Sequence, residues 1–197
     1  MAFKKITSLL LTSTVVLGMA AGCSLTKIDF DIDSLDDIDN SKFMDALDEI
    51  GVDDDDIVIY EDDYFNFSSD PSKYYYVETD IDATTSTTYY SYAVCVDDET
   101  AQDLFDYYYE GTYSDVLENN GGKFTGRKGV VIEDGASYII LDGEFETDTT
   151  YSVYHDIIVL KDNVVFIAWI DVSSESDVAD AKKEIDSFID ALGLKVF

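Results

Sequence analysis

A chain with one histidine, two cysteines and 43 acidic residues has few ways to do chemistry. His155, in Tyr154-His155-Asp156, has no motif partner: no G-x-S-x-G, H-E-x-x-H or phosphate-cradling glycine loop occurs. A lone strand histidine of this kind reads as structural. Cys95 lies within the apolar run Tyr92-Ala93-Val94-Cys95-Val96, the setting of a small buried hydrophobe. A reactive thiolate would need an electropositive neighbourhood, which this chain is poorly equipped to provide. That leaves carboxylates. A glycosidase needs two of them about 5–10 Å apart in a cleft, but with 43 acids any pair can be nominated, so none stands out. Asp29-x-Asp31-x-Asp33 opens like an EF-hand loop, yet Ser34 replaces the turn glycine and Asn40 the closing bidentate acid. Asp53–Asp56 and Glu61-Asp62-Asp63 could still gather hard cations such as calcium at millimolar affinity, although in a chain with this many acids such clusters arise by composition alone. The sequence therefore predicts no catalytic residue, no metal site and no cofactor.

Two features point to binding instead. Lys123, Arg127 and Lys128 form a basic island in "GGKFTGRKG", either a carboxylate- or phosphate-binding spot or a hairpin end balanced by nearby acids. Tyrosines crowd the segments "YYYV", "TTYYSY" and "DYYYEGTY". Tyr74 and Tyr76, and likewise Tyr90 and Tyr92, are spaced by two, so on strands each pair shares a face and could meet a protein or glycan partner. These seven side chains are the candidate ligand-binding residues.

Charge narrows the partners. A formal net charge of −31 repels nucleic acid, anionic headgroups and anionic wall polymers. Such charge often accompanies disorder, but 46% hydrophobic and 14% aromatic residues argue for a packed fold.

The elements that must position these residues follow from periodicity. Phe43, Met44, Leu47 and Ile50 fall at helical spacing before Gly51. Lys73–Val77 and Thr87–Val96 are aromatic and β-branched, as strands require. Asp97 or Asp98 can cap a helix whose apolar face runs from Ala101 to Leu117, weakened at Gly111 and ended by Asn119-Asn120-Gly121-Gly122. Strands follow at Val130–Glu133 and Ser137–Leu141 about an Asp134-Gly135 turn, then at Tyr151–Leu160 and Val164–Val172. "VVFIAWI" is apolar on both faces, so its strand should be central, with Trp169 buried. A last helix is expected from Ser174, where Ser174-x-x-Asp177 resembles a capping box, to the stop at Gly193. The order helix–strands–helix–strands–helix implies an α+β fold, an antiparallel sheet with helices packed on one face. The echo of "FMDAL" at 43–47 in "FIDAL" at 188–192 leaves two related halves open.

The N-terminus carries an address. Lys4 and Lys5 precede an apolar run from Ile6 to Leu17, and small residues close it at Gly18 to Gly22: a secretory signal, too short for a permanent membrane helix. Ala20-Ala21-Gly22-Cys23 resembles the lipobox of bacterial lipoproteins, although Ala20 stands where leucine is usual. The resemblance implies cleavage before Cys23 and a diacylglycerol on its sulfur. The whole layout looks like that of small acidic lipoproteins of Gram-positive gut bacteria, a likeness that brings no activity with it. Residues 1–22 thus read as signal peptide, 23–40 as a lipidated acidic tether and 41–197 as one α+β domain. The expectation is a protein on the outer face of the cell membrane, held by its lipid anchor, that binds a partner without catalysis. The alternative is an envelope hydrolase using carboxylates.

Overall fold

The computed structural model describes residues 39–61, 73–82, 86–133, 136–172 and 175–194. The signal, Cys23, most of the tether, the Asp134-Gly135 turn and Ser174 lie outside them. Helix α1 spans Asn40–Glu49, and its N-cap is Asp39, whose carboxylate accepts from the Lys42 N–H at 2.9 Å. Asn40, expected in the tether, is therefore a helix residue, and Asp39 its cap. Gly51 takes φ +91° beyond α1, where the Val52 N–H reaches the Leu47 carbonyl and the Gly51 N–H that of Asp48.

Strands β1 (Val58–Glu61), β2 (Lys73–Asp82) and β3 (Ser86–Val94) follow. Helix α2 (Asp98–Tyr108) is capped by Asp97, which accepts from the Thr100 N–H at 2.9 Å. A π turn over Tyr109–Tyr113 carries the chain into the short helix α3 (Ser114–Glu118). Gly111, the weak point of the helical pattern, falls in this wider turn. Strands β4 (Gly122–Glu133), β5 (Ala136–Thr147), β6 (Tyr151–Lys161) and β7 (Val164–Val172) precede helix α4 (Val178–Ala191).

The seven strands form one sheet in the order β1-β2-β3-β7-β6-β5-β4, with antiparallel neighbours throughout. The expected helices on one face are corrected: α1 and α4 cover one side, and α2, the π turn and α3 the other. The reason lies in β7 itself. Phe166, Ala168 and Ile170 join the core under α1 and α4, while Val165 and Ile167 join the one under α2. A strand apolar on both faces needs cover on both.

Other boundaries shift too. Residues from Gly122, expected to end a helix, already belong to β4, because cross-strand pairing with β5 runs from Glu133↔Ala136 out to Gly122↔Thr147. Helix α4 begins at Val178 rather than Ser174, and Asp177 at its start makes no side-chain cap bond. β7 is central, but Trp169 near its end is only partly buried. The two echoed segments are not equivalent: "FMDAL" lies inside α1, whereas "FIDAL" runs through the end of α4. They pack together, with the Phe43 and Phe188 rings edge to face at 5.7 Å.

Candidate functional site

Alternation along β6 sends His155 toward α4 and its neighbour Asp156 toward α2. His155 is 3% exposed, yet carboxylates hold both ring nitrogens. Its Nδ1 lies 3.0 Å from Asp142 on β5, its register partner, and its Nε2 lies 2.8 Å from Asp186 on α4. A carboxylate only accepts, so the ring bonds both at once only when each nitrogen carries a proton. Asp142 also receives the Lys182 ammonium of α4 at 2.8 Å and stands 3.7 Å from the Arg127 guanidinium of β4. The His155 hydrogen bond and Lys182 hold the Asp142 carboxyl well below the usual carboxylate range. On the same helix Glu184 accepts from the Thr88 and Tyr90 hydroxyls of β3. Polar bonds thus pin α4 to the sheet on both sides of its apolar stripe.

Asp156 is set in the opposite way. Its side chain is sealed beneath the π turn, where Oδ1 accepts the backbone N–H groups of His155 at 3.1 Å and Ile170 at 3.2 Å. The Tyr113 hydroxyl is its third donor. Burial pushes the carboxyl up to about 7, against the pull of these donors. Tyr113 is itself raised by burial first and by Asp156 second. A π turn is often found where a side chain must be aimed. Here Gly111 and the extra residue bring Tyr113 over the acid.

The basic island does not form one spot. Arg127 turns to Asp142 on the α4 side. Lys128 bonds the Val116 carbonyl and, at 2.7 Å, the Asn119 side chain, capping the carboxyl end of α3. Lys123 is exposed on the strand.

The tyrosine platform fares differently on each pair. Tyr90 and Tyr92 are core residues under α1 and α4, and Tyr74 is buried in the other core, so these three are closed to a partner. Burial pushes the Tyr92 phenol up to about 12. Tyr76 is half-buried and belongs to a row that the spacing argument missed: Tyr76 on β2, Tyr89 on β3 and Trp169 on β7. Tyr76 lies 6.1 Å from Tyr89 and 6.4 Å from Trp169, and Tyr89 and Trp169 stack at 4.6 Å and 7°. Their register, Tyr89↔Trp169, was the signal, but only strand pairing reveals it.

Cys95 is a free, buried thiol, pushed up to about 11 by burial and then by Asp97, as a packed hydrophobe should be. Asp53–Asp56 are exposed in and around a single 3-10 turn. Among the described residues no three His, Cys, Asp or Glu side chains converge as a metal site, and no helix is long and apolar enough to cross a membrane.

The chain matches no family model and no curated protein. Among solved structures it is similar to the extracellular domain of PknH from Mycobacterium tuberculosis, at 10% identity and a TM-score of 0.36, over 79% of this chain and 92% of that one. A likeness that weak carries no argument about shared fold or function. What defines the molecule is its own arrangement: a seven-stranded antiparallel sheet between two helical layers, an α+β fold.

Proposed function

We propose that the chain is an exported bacterial lipoprotein, anchored through Cys23 at the outer face of the cell membrane, whose domain binds a protein or glycan partner without turning it over. One observation carries the non-catalytic reading. Among the described residues the two carboxyls displaced furthest from their ordinary range, Asp142 and Asp156, sit on opposite faces of the sheet. They cannot act on one substrate. Asp142 is held ionised by its cations, His155 has both nitrogens committed, and Asp156 is sealed from solvent.

The contact surface in this reading is the half-buried row Tyr76, Tyr89 and Trp169. Tyr89 and Trp169 stack on one another, so each has one face occupied. Edges with a phenol O–H and an indole N–H suit hydrogen bonding to a polypeptide better than stacking on a sugar. Changing Tyr89 to Ser together with Trp169 to Ala should abolish capture of the envelope partner that the wild-type domain retains, while leaving its unfolding midpoint within a few degrees. Capture at wild-type level would remove this surface. For the anchor, Cys23→Ser should shift the full chain from the detergent phase to the medium or to an uncleaved precursor. Unchanged partitioning would remove the lipid.

An envelope hydrolase is favoured by one observation only, a carboxyl near neutrality at Asp156, as a general acid requires. Turnover of a glycan or peptide by the purified domain, lost in Asp156→Asn, would replace the binding reading with that one.

A further inference from the structure

Among the described residues β1 forms one edge of the sheet, opposite β4. It packs chiefly on β2. Val58 pairs with Tyr76 and Ile59 with Tyr75, so their side chains leave the strand on opposite faces, and both are exposed, at 44% and 48%. A sheet edge is normally guarded by a lysine, a proline or a bulge, since its unpaired N–H and C=O groups are a template for another strand. Val58-Ile59-Tyr60-Glu61 has no lysine or proline, and its pairing with β2 shows no register break. Among the described residues its guards are its shortness and the charge of Glu61.

Immediately before it stand Asp53, Asp54, Asp55 and Asp56, all exposed. Four carboxylates at one end of an apolar edge select by charge. We propose that β1 is a docking edge for an extended, basic segment of a partner polypeptide, added as an eighth strand with apolar residues beside Val58 and Ile59 and lysines or arginines against Asp53–Asp56. Main-chain hydrogen bonds supply the attachment and the alternating side chains the selectivity. A second copy of this chain fits poorly, because each copy carries a net charge of −31. The inference goes beyond the aromatic row, which it does not use.

The probe is a synthetic peptide of three valine-threonine repeats with three lysines at one end, added to the purified domain. Amide hydrogen exchange of those β1 residues whose N–H groups face away from β2, every second one, should slow by roughly tenfold or more as the strand forms, and the binding should weaken with added salt. Ile59→Lys places a like charge in the edge and should abolish the protection. Changing Asp53–Asp56 together to Asn keeps the strand itself and should lower affinity by about tenfold while removing most of the salt dependence. The quadruple variant carries the test if Ile59→Lys disturbs the fold. The proposal fails if the peptide does not bind at millimolar concentration, if protection maps to β4, or if both variants bind as wild type does. It fails also if β1 is protected without peptide in a concentration-dependent way, which would make a second copy the occupant. Loss of peptide binding in Tyr89→Ser with Trp169→Ala would move the site to the aromatic row, whereas retention leaves the edge assignment standing whatever becomes of that row.

Discussion

His155 and Asp156 are neighbours in one strand and live in opposite electrical worlds. The histidine faces α4, where the side chains of Asp142 and Asp186 remain 30% and 49% accessible and Lys182 and Arg127 stand close by. The aspartate faces the π turn and is held chiefly by dipoles, two backbone N–H groups and the Tyr113 hydroxyl, with the charge of His155 a lesser influence. Both side chains are buried, so burial alone does not decide charge. The His155 hydrogen bond and the Lys182 ammonium keep the Asp142 carboxyl ionised, whereas burial in a dry site brings Asp156 near the point of neutralisation. The cluster and the buried acid should respond to pH with opposite slopes. Asp142, with its carboxyl depressed, contributes stability that is present above the ordinary carboxylate range and lost as pH falls toward its folded value. Asp156, with its carboxyl raised, favours the fold most in acid and loses that contribution as pH climbs through about 7.

The largest expected effect tests the dry side. In Asp156→Asn the amide oxygen can keep both backbone donors while the NH2 meets the Tyr113 oxygen, so the local bonding survives. The native state binds the extra proton between the unfolded carboxyl value and about 7, so wild-type stability falls with rising pH across that window from this group. The variant has nothing to titrate there. Urea unfolding at pH 4 and pH 8 should show the difference between variant and wild type moving in favour of the variant by on the order of a few kcal/mol. A constant difference would mean that Asp156 stays ionised throughout, and the contrast with His155 would collapse.

How far could this contrast have been read in advance? The strand Tyr151–Leu160 was legible from its β-branched residues, and period-2 alternation alone puts His155 and Asp156 on opposite faces. What each face contains was not legible. Asp142 and Asp186 lie 13 and 31 residues from His155, and nothing local ties them to it. The same limit hid the Tyr89–Trp169 stack, since only the β3–β7 pairing makes those two neighbours. Counting tyrosines at spacing two instead selected Tyr90 and Tyr92, which are buried, because spacing gives a shared face and not which face is wet. The two-sided sheet is legible in β7, since residues apolar on both faces require the helices to divide between them. Gly111 marked a flaw in a helix, and the structure resolves the flaw into a π turn that aims Tyr113.

A second, smaller effect tests the ionic side. His155→Ala leaves Asp142 to its two cations and leaves Asp186 without the ring that joins α4 to β6. Both carboxylates are partly solvated, so the cost should be about 2 kcal/mol rather than the larger figure for a fully buried pair. Chemical denaturation at pH 7 measures it. His155→Gln, which can still donate one hydrogen bond, should recover part of the loss. A cost below the error of the measurement would show that the clamp is geometric only and that the apolar stripe of Ile185, Phe188 and Ile189 holds α4 unaided.

The smallest effect separates the cations of that cluster from its histidine. Lys182 meets Asp142 at 2.8 Å with both side chains about two-thirds covered, the Lys182 side chain being 29% and that of Asp142 30% accessible. Water reaches the pair, so Lys182→Met should cost only about 0.5 kcal/mol at neutral pH, less at high salt. Its clearer signature is titration. Lys182 depresses the Asp142 carboxyl by a hydrogen bond and by its charge, with the His155 hydrogen bond the larger cause. Removing the ammonium should raise the Asp142 value without restoring it to the ordinary range, because His155 and Arg127 remain. Acid unfolding of Lys182→Met should therefore begin at a higher pH than in wild type, while the alkaline side, governed by Asp156 on the other face, stays unchanged. If the variant moved both sides together, the charge of His155, a minor influence on Asp156, would instead dominate it, and the two faces of the sheet could no longer be treated as nearly independent.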